Sequence, residues 1–98
     1  MTYLDDLAHH IRRHVPPGTS VPDSADRLFV LYAVVLRAKG ATATASDVHD
    51  AWSAWTQECN PGHDALQPYD SLSPDVQAED APFLAAIKAA AQHPLPKT

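Results

Sequence analysis

The side chains able to do chemistry in this 98-residue chain are six histidines, one cysteine and twelve acidic residues. His10 and His14 are four positions apart, so on a helix they share one face. A zinc-binding helix of the His-Glu-x-x-His type needs a glutamate directly after its first histidine, and Ile11 stands there. These two are expected to be surface histidines and not metal ligands. His49 and His63 are each followed by an aspartate, Asp50 and Asp64. Adjacent residues on a helix do not face one another, so neither pair makes a base with its orienting acid. Cys59 has no basic neighbour in sequence to lower its pKa, so an activated thiolate is not expected. Glycine-rich phosphate loops, nucleophile elbows and paired metal-ligand spacings are all absent. The chain is therefore expected to have no catalytic residue, no metal and no cofactor, and not to be an enzyme.

Residues suited to binding are more numerous. Trp52 and Trp55 fall on one helical face with Val48 and Ala51, which suits core packing or a stacking wall for a planar ligand. Tyr69 and Asp70 follow Pro68 and are expected to pin the loop onto the helices through a ring contact and a local hydrogen bond. Asp75, Glu79 and Asp80 are expected to cap helices, stay solvated and offer charge to a basic partner.

The elements that must position these residues are helices. Leu28 to Leu36 is an unbroken run of apolar and aromatic residues, with Asp23 or Ser24 as N-cap before it and Gly40 as stop after it. A helix that is apolar all round is expected to be covered on all sides. This one, residues 24–39, falls short of the roughly 20 apolar residues that cross a bilayer. Before it, Leu4, Leu7, Ala8, Ile11 and Val15 recur at helical spacing behind a Thr2-to-Asp5 capping pattern. Pro16-Pro17-Gly18 ends that helix. After Gly40, a second capping pattern, Thr44 with Asp47, opens a helix over about residues 45–57. Asn60-Pro61-Gly62 breaks the chain, and residues 63–72 form an irregular loop. Ser73-Pro74-Asp75 starts a short turn that breaks near Asp80, because the Pro82 ring clashes with the preceding turn. A final helix buries Phe83, Ile87, Ala90 and Ala91 and is stopped by Pro94 and Pro96. The whole is expected to be one all-α domain spanning residues 1–98, a compact bundle of four main helices plus a short capping turn.

Charge is unevenly spread, with a net +1 over the first 40 residues and −6 over the rest. An acidic half with no compensating basic stripe disfavours nucleic acid as a partner. A single cysteine admits no internal disulfide and fits a reducing compartment, and no secretory leader pattern is visible, so a cytoplasmic location is expected.

The stretch Asp47-Val-His-Asp-Ala-Trp-Ser-Ala-Trp, with His63-Asp-Ala-Leu-Gln-Pro-Tyr-Asp-Ser-Leu-Ser-Pro-Asp-Val-Gln-Ala-Glu-Asp80, resembles a RyR-type repeat over about residues 47–90. Val48, His49, Trp52, His63, Leu66, Pro68, Tyr69, Leu72, Gln77 and Asp80 fall on its pattern, although the loop of Thr56 to Pro61 is shorter. The chain is also similar to small proteins of high-GC bacteria and their phages. The resemblance implies a helical module that senses a ligand or joins an assembly. The leading expectation is a non-enzymatic adaptor binding a protein partner through residues 47–80. The alternative is a sensor or binding module for a small molecule, nucleotide-derived ligands included. In either case the candidate binding residues are His49, Trp52, His63, Tyr69, Asp70 and Asp80. No membrane partner is expected, and a second copy of the chain is a candidate cover for the apolar helix.

Overall fold

A computed structural model describes residues 2–95. Among these, α1 spans Tyr3–Arg13, α2 Asp26–Lys39, α3 Ala45–Cys59, α4 Pro74–Ala78 and α5 Ala81–Gln92, with 3-10 turns at Gly40–Thr42 and Tyr69–Ser71. No strand occurs among the described residues, and the all-α bundle of four main helices and one short turn is as expected. None of the described helices is long and apolar enough to cross a membrane.

Local chemistry fixes the starts of α1 and α3. Thr2 and Asp5 form a complete capping box, and so do Thr44 and Asp47. Each box satisfies two backbone donors that the first turn would otherwise leave unpaired. The start of α2 differs from expectation. Its N-cap position is Ala25, without a side-chain cap, instead of Asp23 or Ser24. Ser24 has φ of 56°, the left-handed region, whereas a capping serine needs extended backbone. At the other end Gly40 combines φ of 55° with ψ of −134°, a combination open essentially to glycine.

The core gathers Ile11 of α1, Leu28, Phe29 and Tyr32 of α2, Val48 of α3 and Ile87 of α5. Phe29, Tyr32 and Phe83 meet as a ring cluster with centroids 5.5 to 6.2 Å apart. The expectation that α2 is covered on every side does not hold. Val34 is 47 % exposed and Leu31 only half-buried, because α1, α3 and α5 enclose three sides of α2 and leave the fourth to solvent. On α5 the buried side is Phe83, Ala86, Ile87 and Ala90, with Ala91 half-buried. That helix ends at Gln92, ahead of Pro94, and Pro96 lies outside the described residues.

Candidate functional site

One face of α3 carries His49 and Trp52 three positions apart, so their rings lie side by side, 5.4 Å between centroids and 22° from parallel. The expected burial of Trp52 and Trp55 is only partial. His49 is the side chain that goes fully inside, at 3 % exposure. One nitrogen of this buried imidazole makes a hydrogen bond, and the other faces a carboxylate without one. Its Nε2–H donates to the Gln67 carbonyl oxygen at 2.7 Å, and Nδ1 faces the Asp80 carboxylate at 3.5 Å. A carbonyl oxygen can only accept, so Nε2 carries a hydrogen. Nδ1 and the carboxylate then attract each other only while one proton is held between the two groups.

The His63–Leu72 loop is built around this peg. Pro68 disfavours helical backbone at Gln67, whose carbonyl meets His49. The Ala65 N–H donates to His63 Nδ1 at 3.0 Å, and Gln77 Nε2 donates to the Tyr69 carbonyl at 2.9 Å. His63 brings the edge of its ring to Trp52, 5.0 Å between centroids at 83°. Tyr69 reaches the His49 ring at 6.3 Å, so the expected ring contact is present. Asp70 is exposed and its side chain makes no hydrogen bond with the described residues, so the expected local hydrogen bond is not formed. The 3-10 turn points its short side chain outward, away from the loop's anchors.

Asp80 departs furthest from expectation. It holds the N-cap position of α5 but does not cap it, and it is 8 % exposed instead of solvated. Two local facts explain this. Its backbone stays in the helical region, φ −81° and ψ −17°, where the side chain cannot fold back over the first turn. Pro82, at the second helical position, has no N–H to offer it. The carboxylate turns to His49 instead. Burial pushes its pKa up to about 6, with His49 pulling it back and Glu79 adding to the rise.

His49, Trp52, His63 and Asp80 line one cavity of about 440 Å³, together with Tyr32 and Phe83. No lysine or arginine lies on its described wall. Tyr69 and Asp70 are not part of that wall. Tyr32 and Phe83 were legible in sequence only as core residues. The one available signal was the hydroxyl of Tyr32, the single polar atom within the apolar run.

Elsewhere, His10 and His14 share a helix face as the spacing predicts, with rings 4.8 Å apart. His14 Nδ1–H donates to the His10 carbonyl at 2.9 Å, and His10 bonds the His93 carbonyl through Nε2. No group of three or more His, Cys, Asp or Glu among the described residues is placed to hold a metal ion. Cys59 is exposed and free. Comparison with curated proteins and with solved structures finds no match. A family model described as a domain of unknown function, DUF7701, matches residues 2–92, and the chain belongs to that family.

Proposed function

We propose that the domain is a non-catalytic binding module that takes a small molecule into the cavity beside α2 and α3. The observation that carries this reading is the convergence of Tyr32, His49, Trp52, His63 and Asp80 on one concavity of about 440 Å³. Ligand sites are typically concavities of about 300–1,000 Å³, mostly apolar with a few convergent polar groups. Four of those five residues lie on the stretch that resembles a RyR-type repeat, which fits a ligand-sensing role. The protein-adaptor reading of residues 47–80 calls for an apolar patch there. The large exposed hydrophobic residues among those described, Tyr3 and Val34, lie elsewhere. Catalysis is disfavoured because His49 is enclosed, its Nε2–H is committed to the Gln67 carbonyl and its Nδ1 is turned toward the Asp80 carboxylate. A cytoplasmic setting accords with the free Cys59.

The test is a fragment library followed through the indole N–H resonance of Trp52. Ala65, on the cavity wall, is replaced by Phe in a second sample to fill the space. Fragments that shift Trp52 in the wild type and not in folded Ala65→Phe are the expected result. Shifts that persist unchanged in the filled variant would place binding outside the cavity and refute the reading.

A further inference from the structure

Two residues on the cavity wall are largely enclosed, yet their polar groups have no hydrogen-bond partner among the described residues; Thr56 Oγ1 is the one described polar side-chain atom both sealed and unpartnered, so these two groups keep access to the cavity. Asp80 is 8 % exposed, yet its carboxylate accepts no hydrogen bond from the described residues, and His49 Nδ1, 3.5 Å away, is of opposite charge only when that ring is protonated. An ionised carboxylate offers about four lone-pair sites, and burying it unpaired is costly. Tyr32 is 1 % exposed, and its hydroxyl likewise makes no hydrogen bond with the described residues. A tyrosine hydroxyl at a cavity wall can donate to or accept from a bound molecule. Burial, with Asp80 adding to it, holds the Tyr32 phenol neutral by pushing its pKa above the ordinary value. Both residues line the same cavity.

We infer that this cavity recognises a small organic cation, an amine or amidine, whose N–H groups are held by the Asp80 carboxylate and the Tyr32 hydroxyl. The inference rests on the small-molecule reading above and names the ligand's chemical class. Three further observations support it. Trp52, Tyr32 and Phe83 supply aromatic surface, which attracts a cation through the negative faces of the rings. Glu79 adds a second negative charge to the wall, and no described lysine or arginine opposes it, so a phosphate-bearing ligand meets repulsion. No described cluster has enough ligands for a metal ion, so an organic cation fits the charge better than an inorganic one.

Proton balance follows from the His49 tautomer. Nε2–H is committed to Gln67, so the attraction between Nδ1 and Asp80 depends on one proton held by that pair. A cation seated on Asp80 expels that proton, and affinity therefore rises with pH. The titratable groups facing Asp80 are His49 from α3, Tyr32 from α2 and its neighbour Glu79. Loss of the Asp80 proton makes the site more negative and favours the cation.

Three probes of one size and different charge decide the matter: phenethylamine, 2-phenylethanol and phenylacetate, each titrated while Trp52 is followed by NMR. Phenethylamine is expected to bind at least about tenfold more tightly than the alcohol, a difference of about 1.4 kcal/mol, with phenylacetate weakest. Its affinity should fall as pH is lowered from about 7.5 to about 5. Asp80→Asn and Tyr32→Phe should each weaken phenethylamine about tenfold and leave 2-phenylethanol unchanged, with the helical circular dichroism of both variants intact. Tyr32→Phe removes only an unbonded hydroxyl, so it stands as the test if Asp80→Asn folds poorly. Equal or tighter binding of the alcohol or the acid at the cavity would overturn the cation inference and keep the small-molecule reading. Failure of every probe to shift Trp52 at millimolar concentration would overturn both.

Discussion

Replacing Asp80 by Asn should make the domain more stable at neutral pH and change little in acid. The carboxyl titrates at about 6 in the folded chain against 3.8 as its ordinary value. The native state therefore holds a proton that the unfolded state has lost between those two values. Ionisation of Asp80 costs stability as pH rises through that window, and the full cost is present above about pH 6. Each pKa unit corresponds to about 1.36 kcal/mol, and the open side of the cavity leaves part of the charge screened by solvent, so about 1–2 kcal/mol is at stake. His49 offsets only a fraction, because at 3.5 Å it makes no hydrogen bond to the carboxylate. Asn has the same shape and cannot ionise, so the difference between wild type and variant isolates this charge. Urea unfolding, followed by Trp fluorescence at about pH 4, 5, 6 and 7.5, should show near-equal stability at the lowest value. The variant should then be ahead by about 1–2 kcal/mol at the highest. A variant less stable than wild type at pH 7.5 by about 1 kcal/mol would show that the His49–Asp80 attraction outweighs burial, reversing the reasoning.

Three further outcomes test the packing. Leu28→Ala should cost about 2–5 kcal/mol in chemical denaturation, since Leu28 is fully enclosed, whereas Val34→Ala on the open side of α2 should stay within about 0.5. Gly40→Ala should cost about 1–3 kcal/mol of unfolding free energy from backbone strain alone, because a methyl at that position meets nothing within 4 Å. Thr56 buries a hydroxyl with no partner among the described residues, so Thr56→Val should leave the melting midpoint unchanged or raise it. A loss above about 1 kcal/mol would mean that the hydroxyl is bonded after all.

What the sequence by itself determined lies within a few residues along the chain. The capping boxes Thr2–Asp5 and Thr44–Asp47 close across three positions, so residue types alone specify them. The break before α5 likewise follows from one proline ring and its missing N–H. The ring contact of His49 with Trp52 is set by helical spacing. The role of Asp80 was not legible, because an acid before a helix reads as a solvated cap. It became a buried neighbour of His49 only when α3 and the start of α5 met across 31 positions of sequence. Tyr32 read as core for the same reason, since an apolar run gives no sign that one hydroxyl will face a cavity. The periodicity of α2 also could not say which side stays open, and that was settled by the number and placement of the neighbouring helices. Local hydrogen-bond geometry is written in adjacent residues, whereas burial and the pairing of charges depend on which elements come together. Only the tertiary structure decided that Tyr32, His49 and Asp80 share one cavity.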